Sequence, residues 1–400
     1  VTTIDSTDFN RSQHAGYGTA EKNFLSRVPK AAYVAFVGLF FWAVAAIAML
    51  APERDWDMAA YVALAIQEPG MKADELHAKT WEIVRAKTTE KEFVELTQAG
   101  AYRQAQFSNA QNFVSQLPMY SVKVGYVTVL RALSPWLGPT RAIATINAFS
   151  VLLLGFCAYL ALRMVGDFRG AVFMAPILMI SSLTYMARLA TPDMLVAALT
   201  VAGTLAFCAR RPWLAAPILV AAFLVRPDTL IYLFALVLAT QVFCWQRIPA
   251  LLTFGAAALM TFPIAGASDH IGWWPHFWFS TVEMQPSMDG FVPDFSAAIY
   301  LKGLALGAAK SLIAHQWVAV GALLLAFAGL LLGRDQRLPT YVGVPMLAAF
   351  LAVGGRFLVF PLPDDRIYAV NLWIFAACVL ELWRLQSGSR RNMPARPQAR

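Results

Sequence analysis

Apolar residues fill long, nearly uninterrupted runs over most of this chain. The first, Ala31 to Ala51, reaches the ~20 residues that a helix needs to cross a hydrocarbon core. Further runs follow near 141–162, 171–189, 193–208, 213–225, 228–244, 248–266, 314–333, 340–358 and 367–383. The pattern predicts an all-α integral membrane protein of about ten transmembrane helices. Two long polar stretches interrupt it, at 52–117 and 267–300. The expected organisation is an N-terminal segment at 1–30, a transmembrane domain at 31–384, and a basic tail at 385–400. That tail is Ser-, Arg- and Pro-rich and expected to be disordered. Within the domain, 52–140 reads as a long helical outer loop with juxtamembrane helices, and 267–313 as a second outer loop.

Between Pro118 and Pro135, Met119, Val122, Tyr126, Val129, Leu130 and Leu133 recur at helical spacing, with Lys123, Arg131 and Ser134 on another face. This predicts an amphipathic helix lying in the interface. With that helix flat and the N-terminus inside, Arg163, Arg169, Arg210, Arg211, Arg247, Arg334 and Arg337 all fall in cytoplasmic loops, as the K/R bias of membrane proteins requires. Arg188, Arg226, Arg356 and Arg366 then fall at outer ends, and both termini are cytoplasmic. The expected membrane is a bacterial-type inner membrane. In the first loop Pro69-Gly70 makes a turn and a charged helix starts near Asp74. Thr89-Glu90-Lys91-Glu92 has the form of a capping box, opening a helix that stops near Gly100.

Composition narrows the function classes. Hydrophobic residues make up 58% and charged residues 14%, against about 25% charged in soluble domains, which excludes an ordinary soluble enzyme. The net charge of +8 sits between apolar runs and in the tail, so the bilayer is the expected partner and nucleic acid is not. Cys157, Cys208, Cys244 and Cys378 show no CxxC spacing, and neither a disulfide framework nor a zinc site follows from them.

The candidate chemistry gathers at the outer ends. Asp55 and Asp57 follow the first span, Asp193 sits in Thr191-Pro192-Asp193, and Asp228 in Arg226-Pro227-Asp228. Asp364, Asp365 and Arg366 precede the last span. Ionisable groups at membrane depth pair, line cavities or do chemistry. Plainer uses stand beside these: Asp193 and Asp228 as helix caps, Arg356 and Arg366 as snorkelling cations. His270 and His276, beside Trp273, Trp274 and Trp278, read as an aromatic belt more readily than as metal ligands.

Asp57-Met58-Ala59-Ala60-Tyr61 resembles the D-x-x-x-Y pattern in the first outer loop of GT-C membrane glycosyltransferases, most of all the branch of lipid A aminoarabinose transferases and protein mannosyltransferases. Leu117-Pro118-Met119-Tyr120 is similar to the proline-containing start of that family's interfacial helix. Pro192-Asp193 resembles its acid-proline pair in reversed order. Arg226, and then Arg356, Pro361, Arg366 and Tyr368, resemble its later basic and aromatic positions. The family's usual Asp-Glu pair is Asp57-Met58 here, and an extra acid stands at Asp55.

The resemblance implies transfer of a sugar from a polyprenyl-phosphate donor to a lipid, polysaccharide or protein acceptor on the outer face, with inversion. In that reading Asp57 is the general base, with Asp55 beside it. Arg366, Arg226 and Arg356 bind the donor phosphate. Asp193, Tyr61, Lys123, Tyr368 and Asp228 contact substrates. No cofactor is required, although the DxD-like Asp55-Trp56-Asp57 offers oxygen ligands to Mg²⁺ or Mn²⁺. The rival readings are a transporter or flippase for a lipid-linked saccharide and a non-catalytic assembly subunit.

Overall fold

The protein was analysed as a computed structural model that describes residues 28–332 and 338–391. Among the described residues it is all helical. In chain order the helices are α1 (Lys30–Leu50), α2 (Asp57–Ile66), α3 (Ala73–Arg85), α4 (Glu90–Gln98), α5 (Ala101–Ser108), α6 (Ala110–Ser115), α7 (Pro118–Ser121), α8 (Val124–Leu137), α9 (Pro139–Val165) and α10 (Gly170–Ile180). They continue with α11 (Leu183–Arg188), α12 (Asp193–Cys208), α13 (Pro212–Val225), α14 (Thr229–Val242), α15 (Arg247–Ala267), α16 (Trp273–Thr281), α17 (Ala297–Ala314), α18 (Trp317–Leu331), α19 (Thr340–Val359) and α20 (Asp365–Arg391).

Six of these, α1, α9, α15, α17, α19 and α20 to Ser387, are long and apolar enough to cross a membrane. Shorter apolar helices, α10, α12, α13, α14 and α18, pack among them. Close approach between neighbours depends on small residues. At Gly203 in α12 an added Cβ would lie 2.6 Å from Leu219 of α13, so only glycine lets this pair pack as it does. The run expected at 171–189 is two helices. Ser182 takes a left-handed φ of 69° and the chain turns there.

Contacts sort the helix ends into two sets. At one end the C-termini of α1, α11, α13 and α19 meet the N-termini of α12, α14 and α20: Arg188 Nε donates to Ala51 O at 2.6 Å, and Ala190 N to Asp55. At the other end Lys30 lies 4.7 Å over the Phe168 ring, Gln246 donates to Phe207 O, and Tyr341 to Glu381. We call these the acidic end and the far end. Despite its length, α17 lies across the acidic end. Tyr300 donates to Leu358 O, Gly307 abuts Pro361, and the amides of Gln316 and Trp317, just beyond it, donate to Asp365.

The segment between α2 and α8 is an ordered helical cap. Thr89 and Glu92 form the reciprocal capping box, so α4 starts where expected. Trp81, Phe93, Phe107 and Phe113 make its aromatic core. The loop after α16 is tied to this cap: Met288 N donates to Ser115 Oγ and Gln106 Nε2 to Pro286 O.

The tail expected from residue 385 begins instead as helix, and α20 continues to Arg391. Glu381 holds Arg384 through two bonds of 2.7 Å, and no proline stands before Pro394 to stop the helix. Residues 392–400, the N-terminal segment to residue 27, and Arg334 and Arg337 lie outside the described residues.

Candidate functional site

The acidic end is built from side chains carried on at least six helix ends. Asp57 is the first residue of α2, where the helix dipole favours a carboxylate. Its Oδ1 accepts a hydrogen bond from Tyr120 of α7 at 2.9 Å, and its Oδ2 lies 3.6 Å from the Arg366 guanidinium. Arg366 also reaches Asp193 Oδ2 at 3.3 Å and donates through Nε to Asp364 at 2.7 Å. Asp193 is held in turn by Arg226 and by the Thr191 hydroxyl at 2.8 Å. Arg226 bridges to Asp228 at 2.6 Å, and Arg356 pairs with the same carboxylate. One network thus joins α2, α7, α12, α13, α14, α19 and α20.

Exposure separates the two central carboxylates. The Asp193 side chain is 4% exposed and Asp57 26%. Asp193 is a sealed anchor for two arginines, whereas Asp57 is partly open to solvent. Neither Asp193 nor Asp228 makes a side-chain capping bond, so the carboxylates serve the arginines and not their own helices.

Lys123 stands at the bend between α7 and α8. Its ammonium lies 4.6 Å from the Tyr120 ring centroid and 5.4 Å from that of Tyr61. Among the described residues it has no carboxylate within ion-pair distance, while Arg226, Arg356 and Arg366 each have one or more. Burial holds the Lys123 amine down at about 8, with Asp57 working in the opposite direction. It is the cation of this group least committed to the protein itself.

Asp55, Tyr61 and Tyr368 shape the site from behind. Asp55 accepts from Met58 N at 3.1 Å and from Ala190 N at 3.0 Å, pinning α2 to the strand of chain before α12. Burial, reinforced by Asp57, pushes its carboxyl up to about 7. Tyr61 and Tyr368 were expected to touch substrate, but both side chains are fully buried. Tyr61 packs edge-on to Tyr120 and Tyr126. Tyr368 stacks on Trp317 and donates to Leu362 O at 2.8 Å, fixing the turn that carries Arg366.

The chain matches no family model, no curated protein and no solved structure.

Every sequence-selected residue lies in or against this network. Two partners were given no role beforehand: Tyr120, which orients Asp57, and Asp364, counted among the outer-end acids, which orients Arg366. Only the fold shows where their side chains end. Beneath the network, a cavity of about 40 Å³ reaches Thr200, Tyr232 and Asn371. Arg356 Nε and Asn371 Oδ1, which belong to lining residues, lack protein partners, and the space is enough for water to bridge them.

The oxygens of Asp55 and Asp57 are engaged within the protein. The oxygens of Asp55 are directed at two backbone amides, those of Asp57 at a hydroxyl and a guanidinium. No group of three or more potential metal ligands gathers among the described residues, His270 and His276 included.

Proposed function

We propose that this protein is a membrane glycosyltransferase that moves a sugar from a polyprenyl-phosphate donor to a hydroxyl acceptor at the acidic end, which faces the extracytoplasmic side. The observation that carries the reading is the placement of one partly exposed carboxylate, Asp57, between a fixed hydroxyl and a cluster of fixed cations. Such a site suits a reaction in which a proton leaves one group while negative charge grows on another.

In the reaction the acceptor hydroxyl gives its proton to Asp57 Oδ2 as its oxygen attacks the anomeric carbon. The bond from that carbon to the phosphate oxygen breaks, and the electron pair leaves with the polyprenyl phosphate. Attack in line with the leaving group inverts the anomeric centre. Tyr120 fixes the carboxylate through its other oxygen. Lys123 meets the departing phosphate first, and Arg366 follows by exchanging part of its contact with Asp57 and Asp193. Asp55, Tyr61 and Tyr368 are positioning residues. A divalent metal enters no step.

This reading brings with it ten membrane crossings: α1, α9, α10 with α11, α12, α13, α14, α15, α18, α19 and α20. The cap, α8, α16 and α17 lie at the outer interface, and both termini are cytoplasmic. The cap and the loop tied to it by Ser115 and Gln106 cover the sugar. The test is transfer from a panel of radiolabelled polyprenyl-phosphate sugars by the protein in nanodiscs, with the anomeric configuration of the product determined. Transfer with inversion is expected. Saturable binding of lipid phosphate without transfer by any donor favours the flippase reading instead.

A further inference from the structure

A large cavity lies at the far end, away from the carboxylate network. It has a volume of about 1230 Å³ and is bounded by the N-terminal half of α1, the C-terminal halves of α9, α12 and α20, and the N-terminal parts of α10 and α19. Its wall is apolar, with Phe36, Phe40 and Phe41 on one side and Phe173 on another. Three of the four cysteines, Cys157, Cys208 and Cys378, line it. Phe36, Phe173 and Trp383 remain 38–40% exposed at its edge, with the latter two rings packed edge to face at 5.3 Å. A space of this size exceeds the ~300–1,000 Å³ of ordinary small-ligand pockets, and its lining suits hydrocarbon chains.

The polar groups lie at the mouth. Asp167 and Arg169 form a fork-like pair with bonds of 2.9 and 2.5 Å, and Glu381 and Arg384 another with two bonds of 2.7 Å. Each pair is neutral as a unit. Lys30 is left over: its ammonium faces the Phe168 ring at 4.7 Å, with no carboxylate in ion-pair range among the described residues. Among the described residues the mouth therefore carries one uncompensated positive charge above an apolar chamber.

We propose that this cavity is a binding site for an anionic glycerophospholipid, with the acyl chains in the chamber and the phosphodiester at Lys30. The charge selects the lipid class. A phosphodiester brings a single negative charge and leaves the mouth neutral. A phosphate monoester brings roughly −1.5 to −2 near neutral pH, leaving an excess in a poorly solvated place. The charge excludes the polyprenyl monophosphate released by transfer; the sugar donor is itself a phosphodiester, and what separates the two sites is their place at opposite ends of the bundle. The far-end site stands whether or not the protein transfers sugars.

The test uses the full chain in nanodiscs of mixed phosphatidylglycerol and phosphatidylethanolamine. Retained lipid is measured by mass spectrometry after detergent extraction, and maleimide labelling of Cys208 is followed in parallel. Retained lipid should be enriched in phosphatidylglycerol about fivefold over the bulk mixture, and phosphatidylglycerol should slow labelling of Cys208. Lys30→Glu should abolish the enrichment. Ala161→Trp, which narrows the chamber, should lower the amount of retained lipid while the mouth charges stay. Because Lys30 is exposed, its variant reads out the charge even where the narrowed variant fails to fold. Equal retention of both lipids, displacement of phosphatidylglycerol by equimolar polyprenyl monophosphate, or labelling of Cys208 that no lipid slows would overturn the assignment.

Discussion

Asp57 and Arg366, from opposite ends of the chain, face each other at 3.6 Å, and the same guanidinium lies 3.3 Å from Asp193. The arginine is shared between a carboxylate that is partly exposed and one that is sealed. That asymmetry sorts the acidic residues by task, and the first four predictions follow from it and from its surroundings.

Removing the sealed carboxylate should cost stability. Asp193→Ala leaves Arg226 and Arg366 without their buried partner. A fully uncompensated buried charge costs about 3–5 kcal/mol, and because Arg226 keeps Asp228 and Arg366 keeps Asp364 the loss here should be a part of that. A clear drop in the thermal unfolding temperature of the detergent-solubilised protein is expected, measured by intrinsic fluorescence. An unchanged transition would mean that the Asp193 pairs contribute little to holding α12, α13 and α20 together.

Lys123 gives the site a pH limit. Its amine is held down at about 8, so the free protein loses this cation as the pH rises through that value. A depressed lysine favours the neutral form in the folded state, and an anion's grip weakens on the alkaline side. The rate of transfer at low donor concentration should fall above about pH 8. Lys123→Arg should move the fall to higher pH, since a guanidinium stays charged, and Lys123→Met should lower the rate at every pH. A profile that Lys123→Arg leaves in place would separate this residue from the donor.

Asp55 links stability to pH in the opposite sense from an ordinary salt-bridged acid. Its folded carboxyl is raised to about 7, well above the ~3.9 of an unfolded chain. Between those values the folded state holds a proton that the unfolded state has lost. Stability therefore declines as pH rises from about 4 to about 7, at a slope of at most ~1.4 kcal/mol per pH unit, and this contribution is flat above. Asp55→Asn should remove that part of the slope. Unfolding midpoints measured across this window check it.

The position of α17 bears on the site through one glycine. A Cβ at Gly307 would collide with the carbonyl oxygen of Pro361, and no side chain can yield there because the obstacle is backbone. Gly307→Ala should push the segment leading to Arg366 and lower transfer about tenfold or more, in line with the sensitivity of catalysis to small misplacements. Gly354→Ala, with nothing within 4 Å, should be silent or slightly stabilising. Equal activity of both variants would release α17 from any role at the site.

How much of this was legible beforehand depends on the distance over which each feature is decided. The capping box at Thr89 and Glu92 and the bounds of α12 are local, and hydrophobic pattern with cap chemistry was enough to place them. The arginines at 188, 226, 356 and 366 gather at one end because each stands at a break between apolar runs. The roles of the aspartates were less legible. Pro192-Asp193 and Pro227-Asp228 have the local look of caps, but their carboxylates turn to Arg226, Arg356 and Arg366, which other helices deliver. Tyr120 and Lys123 are neighbours of Asp57 only because α7 folds back over α2, a contact that no local spacing encodes. The same holds for α17, whose composition alone suits a span, while Tyr300 and Gly307 bind it along the 358–361 segment.

The central claim is that Asp57 takes a proton from the acceptor while the cations receive the phosphate. The most direct measurement compares wild type with Asp57→Asn in single-turnover sugar transfer from a radiolabelled polyprenyl-phosphate donor in nanodiscs. Asparagine keeps the size and can accept from Tyr120, but it cannot take the proton. A fall of about 100-fold or more in the transfer rate is expected, with donor binding and the unfolding temperature nearly unchanged, since Asp57 is partly exposed and packs little. Transfer at the wild-type rate by a folded Asp57→Asn protein would contradict the account and remove Asp57 from the chemistry.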